Sequence, residues 1–471
     1  MKKRTKIVCT IGPACESTEI LVKMIEAGMN VARLNFSHGT YENHRTLFDN
    51  VRSAAKQTGQ PIAIMQDLQG PKIRVGVLPE AGVNLVENEN VIFDTALDTY
   101  AGEALPVDYH QLHQYLKAGE RLLLCDGKME TEIVSVDGTR ITTKVKSGGI
   151  LTSHKGINVP DSTLDVRAMS EKDKEDAKFG LSLGVDFIAL SFVRTSQDIV
   201  DLKDLLSREA LEKNIESNPP IQIIAKIERR EAVENIESIL EVVDGIMVAR
   251  GDLGLEIPGE QVPVIQKKLI SAALKRNKPV IVATQMLDSM QESPRPTRAE
   301  VSDVAAAVID HTDAVMLSNE SAVGKYPVET VQTMEKIICE AEASDYDDVP
   351  MDYHVHKGET VNSIMEEIAR LLVDRTQAQA LILANQNEQM ARIMSSFRPE
   401  LPIFVPARRE RSLHQLNLSW GVVPVLSQAL TKEAFLEEVK KYVSSPAEVV
   451  VIGSPSLDSS ELSVLEIVHL G

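Results

Sequence analysis

The stretches "IQIIAKIE", residues 221–228, and "GIMVARGD", residues 245–252, decide the fold of this chain. Each begins as an apolar run and ends in charged residues, and an amphipathic stretch lies between them. A short run that is apolar on both faces is typical of a parallel strand covered by helices. The pair therefore predicts a strand–helix–strand unit whose charged side chains gather where the strands end.

The same pattern recurs along the chain and predicts eight strands in total. They are residues 6–12, 30–37, 61–68, 186–192, 221–228, 245–251, 279–285 and 313–318. Segments such as residues 17–28 and 263–277 have the periodicity of amphipathic helices. Eight such units close a TIM barrel, so we predict an α/β chain built on a (β/α)8 TIM barrel. A doubly wound sheet is the alternative, but the GxGxxG turn that would support it is missing.

Two further segments lie outside this pattern. The third and fourth predicted strands are separated by about 120 residues, far more than an ordinary connection needs. Short stretches there, broken by Gly and Asp, predict hairpins. After the acidic linker at 340–352, a smaller α/β pattern follows, with a helix expected at 361–375. The predicted domains are a barrel at 1–71 and 161–340, an inserted β-barrel-like lid at 72–160, and a C-terminal α/β domain at 353–471.

Composition limits the classes of function. The chain has 471 residues, enough for two or three domains, and a net charge of -19, which argues against nucleic acid or an anionic membrane as partner. Its four cysteines form no CxxC pair, which favours a reduced, cytoplasmic setting. The basic start "MKKRTK" is followed by no signal-peptide core, and no apolar run reaches membrane-spanning length.

Polar residues end six successive predicted strands, and a TIM barrel places its working groups at those ends. In strand order they are Arg33, Asn35 and Ser37; Asp67; Ser191; Lys226 and Glu228; Arg250 and Asp252; and Thr284. Residues two apart on a strand share a face, so Lys226 and Glu228 point the same way. Taken alone they could form a plain ion pair. Because six successive strands end in such polar residues, we favour a functional site instead.

The residue types in this series suit phosphate and metal chemistry. Glu228 and Asp252, on neighbouring strands, can hold one hard divalent cation such as Mg²⁺ or Mn²⁺. Lys226 would lie beside that cation as a point charge for a phosphoryl group. Arg33 can bind a phosphate through two parallel hydrogen bonds. We therefore expect an anion site next to a metal site.

Longer blocks of sequence resemble those of the pyruvate kinase family. The similar blocks are "KIVCTIGPA", "ARLNFSHG", "DLQGPKIR", "KGINVP", "IIAKIE", "IMVARGDLGLEIP", "ATQMLDSM", "PRPTRAEVSDVA" and "DAVMLSNESAVGKYP". They occur in the family's order and cover most of residues 4–340. The C-terminal third is similar only in its length and in its alternation of predicted strands and helices.

The resemblance implies an activity and a set of substrate contacts. The reaction is transfer of the phosphoryl group of phosphoenolpyruvate to ADP, which gives pyruvate and ATP in glycolysis. Arg33 would bind the substrate phosphate, and Lys226 would stabilise the transferring group. Thr284 would lie near the enolate carbon that is protonated. The backbone of Gly251 and Asp252 would bind the substrate carboxylate, and Glu228 with Asp252 would hold magnesium.

The resemblance also implies the surroundings of that site. Asn35, Ser37, His38, Arg74 and Lys155 would face the nucleotide and the monovalent cation. The inserted lobe would close over the site and exclude water, which would otherwise accept the phosphoryl group. The family further implies a homotetramer.

The chain departs from the family pattern at two nearby positions. Many members have a Thr after the strand-ending Asp and a Glu after the Gly-Pro, and need potassium beside the substrate. Asn35, Ser37, Asp67 and that Thr would supply the oxygen ligands. This chain has Leu68 and Lys72 instead. A lysine ammonium is a compact permanent cation, so we predict that Lys72, beside Asp67, replaces potassium and that K⁺ is not required.

The sequence also bears on regulation by a sugar phosphate. Regulated relatives carry a Thr/Ser-Gly loop for a sugar phosphate, whereas residues 383–396 contain no glycine and place Glu388 there. We therefore expect fructose 1,6-bisphosphate not to activate the enzyme.

Two other functions are alternatives to pyruvate kinase activity. A magnesium-dependent barrel aldolase or lyase acting on a keto acid is one alternative, although it would lack the lid and the second cationic strand end. A non-catalytic metabolite-binding protein is another, although no candidate ligand residue is lost.

Overall fold

The computed structural model describes residues 3–164, 168–216, 218–347, 368, 371–373, 375–444, 446–459 and 462–471. Within these residues the chain forms a closed barrel of eight strands, a six-stranded sheet with a small two-stranded one, and a separate five-stranded sheet. The predicted (β/α)8 barrel with an inserted β-rich unit and a C-terminal α/β unit is confirmed.

The barrel strands are all parallel, and the first pairs with the eighth to close the ring. In chain order they are Lys6–Thr10, Val31–Asn35, Ala63–Asp67, Phe187–Leu190, Gln222–Ile227, Gly245–Ala249, Val280–Ala283 and Ala314–Leu317. All eight strands predicted from the sequence are present. All eight end one or two residues before the predicted limit, because the last residues of each predicted run already belong to the following loop or helix.

Helices cover the outside of the barrel, so its strands are buried on both faces. They are Thr18–Glu26, Tyr41–Thr58, Glu171–Leu183, Ser196–Glu212, Arg230–Glu234, Ile236–Val242, Arg250–Glu256, Val262–Leu274, Arg298–Ile309, Asn319–Ala322 and Pro327–Glu342, with short 3₁₀ turns at Gly259–Gln261 and Asp288–Gln291. Several start at a capping side chain; Thr40 and Ser170, for example, each accept a hydrogen bond from the third residue of their helix. The last helix extends into the predicted linker at 340–352, of which residues 348–352 lie outside the described residues.

The insertion follows the third barrel strand and has its own apolar core around Phe93 and Ile141. Its strands are Val83–Leu85, Asn90–Asp94, Leu105–Pro106, Arg121–Leu124, Met129–Asp137, Arg140–Ser147, Gly149–Leu151 and Ile157–Asn158, with a 3₁₀ turn at Leu112–Gln114. The three strands between residues 121 and 147 pair antiparallel in sequence order, as the predicted hairpins require.

The C-terminal unit is a five-stranded sheet in which only the last strand is antiparallel. Its strands are Ala380–Ala384, Ile403–Ala407, Val422–Leu426, Ala447–Gly453 and Val464–Leu470, and its helices are Glu388–Ser396, Glu410–Leu416 and Lys432–Val439. The helix predicted at 361–375 falls mostly outside the described residues. No helix in the part of the chain that the structure describes has the length and apolarity to cross a membrane.

A buried charged joint connects this unit to the floor of the barrel. Arg398 is 2% exposed and donates to Asp313 at 3.1 Å and to the carbonyl of His311 at 2.8 Å. The same Asp313 accepts from the backbone N–H groups of Trp420 and Val280, at 3.0 and 3.1 Å. The Arg398 guanidinium also lies over the Trp420 ring, 5.1 Å from its centroid. The charges of Arg398 and Asp313 therefore compensate each other despite their burial, although the Arg398 Nε has no hydrogen-bond partner among the described residues.

We expect Arg398→Met to destabilise the protein by about 3–5 kcal/mol, because it leaves the Asp313 carboxylate buried without its cation. Urea unfolding followed by the fluorescence of Trp420, the single tryptophan of the chain, measures the shift in midpoint. Arg140→Met is the matched control, since Arg140 is half exposed and pairs with Asp94 at 3.5 Å, a contact worth about 0–1 kcal/mol. Equal shifts in the two variants would contradict this account of the joint.

Candidate functional site

Asp67 lies at the centre of the carboxyl end of the barrel, and two cations converge on it. The Nε of Arg33 donates to its Oδ2 at 2.6 Å, and the Nζ of Lys226 lies 3.2 Å from its Oδ1. Strand pairing fixes this arrangement, because Asn35 and Asp67 are directly opposite in register and Arg33 is two residues earlier. Arg33 also donates to the hydroxyl of Thr10, at 2.8 Å, at the end of the first strand.

Lys226 continues the network to the next strand end. Its ammonium donates to Glu228 at 2.8 Å and to the hydroxyl of Ser191 at 2.7 Å. The second carboxylate oxygen of Glu228 accepts from the backbone N–H of Phe192 at 2.7 Å. The sequence prediction that Lys226 and Glu228 share a face is confirmed, and they do form an ion pair. That pair is one segment of a longer chain of alternating charges.

Burial would neutralise these groups if they were not paired. Desolvation would raise the pKa of Asp67, but Arg33 and Lys226 outweigh it and hold that pKa below its usual value. Desolvation likewise opposes the charge of Lys226, but Asp67 and Glu228 raise its pKa above that of an exposed lysine. The site thus holds a fixed buried ammonium and a fixed buried guanidinium side by side.

Glu228 behaves differently from Asp67. Its pKa is raised, first by burial and also by the negative charge of nearby Asp252, although Lys226 opposes the shift. Glu228 is 1% exposed, whereas the side chain of Asp252 keeps 27% of its surface. Two carboxylates that repel each other are a donor pair suited to a divalent cation. Among the described residues, no group of three or more His, Cys, Asp or Glu is placed to hold a metal ion.

The turn after Asp67 depends on Gly70. Its φ is +70°, a conformation that favours glycine, and a Cβ there would approach Phe192 to 2.6 Å and Ser191 to 2.9 Å. The turn therefore packs directly on the residues that contact Lys226 and Glu228. After this turn, Lys72 lies at the carboxyl end of the barrel, near Asp252.

Lys72 lies elsewhere than the sequence led us to expect. We predicted it beside Asp67, but its ammonium is 3.0 Å from Asp126 of the lid and 3.6 Å from Asp252, and no ion pair among the described residues joins it to Asp67. The physical reason is that Arg33 and Lys226 already occupy the Asp67 carboxylate. Asp252 and Asp126 offset the effect of burial and raise the pKa of Lys72, so its charge is permanent. That part of the prediction is wrong.

Thr284 and Gly251 face each other across neighbouring strand ends. The hydroxyl of Thr284 accepts from the backbone N–H of Gly251 at 2.8 Å. Thr284 has a φ of +75°, which is strained for a β-branched residue and typical of functional positions. Gly251 and Asp252 lie in the first turn of the helix Arg250–Glu256.

The residues expected on the nucleotide side form two separate groups. Asn35 accepts from the N–H of Ser37 at 3.1 Å, and His38 is exposed on the same loop. Arg74 donates to the carbonyl of His154 at 2.9 Å, next to the exposed Lys155. No hydrogen bond or ion pair among the described residues links the two groups. Their assignment to a nucleotide stays a prediction.

Three residues of this site had no role in the sequence analysis. Thr10 positions Arg33, and the strand-end rule would have found it, since it closes the first strand. Asp126 pairs with Lys72, and no local pattern marks it, because the contact depends on how the lid docks. Phe192 contributes only its backbone N–H, with a φ of +54°, and sequence gives no signal for that.

The region proposed to lack an effector loop is helical. After the strand Ala380–Ala384, Asn387 caps the helix Glu388–Ser396, and Glu388 occupies its first turn. An acid in this turn repels an anion at the helix start. The expectation that fructose 1,6-bisphosphate does not activate stays a prediction.

Comparison with known protein families gives two matches. Residues 2–331 match the family described as "Pyruvate kinase, barrel domain", and residues 363–466 match "Pyruvate kinase, alpha/beta domain". Together the two matches cover most of the chain, including every residue of the site described above.

Individual relatives carry the same name. The chain is 40% identical over 480 residues to a "Pyruvate kinase" of Sporosarcina psychrophila, covering 100% of this chain and 81% of the relative. It is 38% identical over 479 residues to one of Mycobacterium tuberculosis, covering 100% and 99%. A crystal structure of a pyruvate kinase from Cryptosporidium parvum superposes with a TM-score of 0.92 at 34% identity, covering 99% of this chain and 96% of that one.

Proposed function

The chain belongs to the pyruvate kinase family and is a phosphotransferase, and we propose that it transfers the phosphoryl group of phosphoenolpyruvate to ADP at the barrel mouth. The observation that carries this proposal is the buried series Arg33–Asp67–Lys226–Glu228, which fixes two cations next to two carboxylates. Such an array matches a phosphoryl donor that binds one metal ion and develops charge on its equatorial oxygens.

Arg33 and Lys226 act on the phosphoryl group in different ways. The guanidinium of Arg33 is held by Asp67 and Thr10, so its remaining donors are aimed before the substrate arrives. Lys226, fixed by Asp67, Glu228 and Ser191, presents its charge where negative charge spreads during transfer. Because neither cation has to reorganise, their stabilisation of the transition state costs little at the moment of reaction.

The other half of the substrate would occupy the neighbouring strand ends. We assign the carboxylate of phosphoenolpyruvate to the backbone N–H groups at Gly251 and Asp252, in the first turn of a helix. Thr284 already bonds to the Gly251 N–H, so its hydroxyl lies beside the bound molecule and near the carbon that is protonated. The strained backbone of Thr284 is consistent with a position set by the reaction rather than by the fold.

Glu228 and Asp252 fit a magnesium or manganese ion, because burial, together with the charge of Asp252, raises the pKa of Glu228, and a bound cation would offset both effects. When bound, the ion supplies positive charge that neutralises phosphate and enolate oxygens. Glu228 remains oriented by Lys226 and by the N–H of Phe192. Asp252, partly exposed, is the carboxylate that faces incoming substrate.

The lid and the nucleotide residues complete the proposal. Lys72 connects the barrel to the lid through Asp126 and Asp252, so the lid already contacts the site. Closure would exclude water and direct the phosphoryl group to ADP. We assign Asn35, His38, Arg74 and Lys155 to the nucleotide side. A homotetramer and a cytoplasmic location, implied by the family, are further parts of the proposal.

The alternatives differ in their products. A magnesium-dependent aldolase or lyase would cleave a carbon–carbon bond of a keto acid and would not need ADP. A binding protein would give no product. Pyruvate formation from phosphoenolpyruvate that depends on ADP supports the proposed function and excludes both.

We expect Lys226→Met to lower kcat by at least about 10²–10³-fold, because the lost charge acts on the transition state, while KM for phosphoenolpyruvate changes much less. An assay that couples pyruvate to lactate dehydrogenase measures both constants. Lys174→Met, which removes a cation from an exposed pair with Glu171, is the control and should keep parental kinetics. A folded Lys226→Met enzyme, by circular dichroism, with near-parental kcat would rule out this role.

We expect Glu228→Gln and Asp252→Asn each to raise the magnesium concentration at half-saturation by at least about tenfold, since an amide is a weaker ligand than a carboxylate. Initial rates over a magnesium titration give this value. Glu260→Gln, an exposed carboxylate on a nearby turn, is the matched control. A parental half-saturation point in both variants would refute the metal assignment.

Lys72 supplies its positive charge at Asp252 and Asp126 rather than at Asp67. The ammonium does not replace an ion at Asp67, where Arg33 and Lys226 already provide positive charge. It contributes a permanent charge at Asp252, between lid and barrel, with its side chain only 22% exposed. We propose that this charge, together with the loss of a Thr hydroxyl at Leu68, removes the need for a monovalent cation.

We therefore expect full activity in tetramethylammonium buffer free of potassium and ammonium, because the required charge is covalently attached. Rates are measured with and without potassium chloride. Stimulation of tenfold or more, equivalent to about 1.4 kcal/mol in the barrier, would contradict the proposal. The reverse variant, Lys72→Glu, should lose most of its potassium-free activity, and full retention would contradict the role of Lys72.

A further inference from the structure

The loop that follows the second barrel strand connects the candidate active site to the helix Tyr41–Thr58. It is attached to the centre of the site, because the backbone N–H of Phe36 donates to the carbonyl of Asp67 at 3.0 Å. Two residues that we assign to the nucleotide side lie here, Asn35 at the end of the strand and His38 within the loop. The conformation of the loop therefore determines where these two side chains lie.

His44 bonds to this loop from the helix. It lies four residues after the capping residue Thr40, and it is 5% exposed. Its Nε2 is 2.9 Å from the carbonyl oxygen of His38. Since a carbonyl oxygen only accepts hydrogen bonds, the imidazole must carry its proton on Nε2 and donate it. The bond spans the turn at Gly39, whose φ is +81°.

The ring of His44 also stacks on Phe36. The two ring centroids are 3.8 Å apart, and the planes are inclined by only 6°. One side chain thus holds the loop at two places, by its face at Phe36 and by its edge at the carbonyl of His38. A phenyl ring in its place could supply the stacking but not the hydrogen bond, whereas an amide could supply the hydrogen bond but not the stacking.

The surroundings of His44 keep the imidazole neutral. Burial lowers its pKa, and the ammonium of Lys172 lowers it further. The His38 carbonyl and Asp176 act in the opposite direction but do not outweigh burial. The Nδ1 of His44 is buried and has no hydrogen-bond partner among the described residues, so a proton there would be an unpaired buried donor. His44 is therefore a neutral ring with one donor, and that donor bonds to the loop.

Lys172 holds the other end of the loop. Its ammonium donates to the carbonyl of Phe36 at 2.9 Å and to the carboxylate of Asp176 at 2.5 Å. This contact comes from the helix Glu171–Leu183, on the next part of the barrel wall. The loop thus has one anchor where it leaves the strand and a second, His44, beyond His38.

We propose that His44 is a positioning residue for the nucleotide, because its bond to the His38 carbonyl fixes the loop that carries Asn35 and His38. The inference rests on the proposed function, in which these two residues face ADP. His44 itself is too buried to reach the nucleotide, so it acts through the loop. Arg33, which would bind the phosphate of phosphoenolpyruvate, lies before the loop and is held by other bonds. Loss of the His44 bond should therefore weaken the use of ADP and not that of phosphoenolpyruvate.

Steady-state kinetics of the full chain, with pyruvate coupled to lactate dehydrogenase, test this inference. His44→Phe keeps a ring that can stack on Phe36 and removes the donor. His44→Gln keeps a donor close to the position of the imidazole Nε2. His469→Phe is the matched control, since it makes the same substitution at a side chain that is 79% exposed on the last strand. Thermal unfolding of each variant reports any loss of stability separately.

We expect His44→Phe to raise KM for ADP at least about fivefold, on the scale of one lost hydrogen bond, while KM for phosphoenolpyruvate stays near the parental value. His44→Gln should recover most of the loss, because it restores the donor. His469→Phe should keep both parental constants.

Three results would overturn the role of His44. They are an unchanged KM for ADP in His44→Phe, an equal rise of KM for both substrates, and a His44→Gln enzyme as impaired as His44→Phe. Each of them leaves the proposed function intact as long as the parental enzyme forms pyruvate. A parental enzyme that forms no pyruvate from phosphoenolpyruvate and ADP would overturn the proposed function and this inference with it.

Discussion

The arrangement of the site depends on one buried carboxylate. Asp67 is 1% exposed, yet it stays ionised because Arg33 and Lys226 bind it from two sides. The same carboxylate in turn orients both cations and keeps Lys226 protonated, since an unpaired ammonium at this depth would lose its proton or move to solvent. The pairing works only because the strands that carry these residues lie close together in the closed barrel. The ion pairs at Asp67 thus depend on the closed barrel that brings their strands together.

The same constraint explains why Glu228 and Asp252 differ from Asp67. Asp67 has two cations and a depressed pKa, whereas Glu228 shares one cation, and its pKa is raised by burial and by the charge of Asp252. An added divalent cation would relieve that repulsion, and the substrate phosphate would use the donors of Arg33 that Asp67 leaves free. The carboxylates of Glu228 and Asp252 and the guanidinium of Arg33 therefore lie where the proposed reactants would add charge.

Sequence patterns predicted the barrel and most of its working residues, because strand ends and apolar runs are local features. The rule that working groups lie at strand ends predicted Arg33, Asp67, Lys226 and Glu228. The same rule could also have identified Thr10. Contacts between distant segments were not predictable in this way. The pairing of Lys72 with Asp126 depends on how the lid docks, and the bond from Lys172 to the Phe36 carbonyl depends on where the helix Glu171–Leu183 packs.

We propose that the cations fixed at Asp67 stabilise a phosphoryl group while it passes from phosphoenolpyruvate to ADP, and that it is not lost to water. Phosphorus NMR of the enzyme with magnesium and equal amounts of phosphoenolpyruvate and ADP tests this directly. The account predicts that the phosphoenolpyruvate signal is replaced, mole for mole, by the γ-phosphate of ATP. Inorganic phosphate that grows as phosphoenolpyruvate disappears, or a phosphoenolpyruvate signal that does not change, would contradict it.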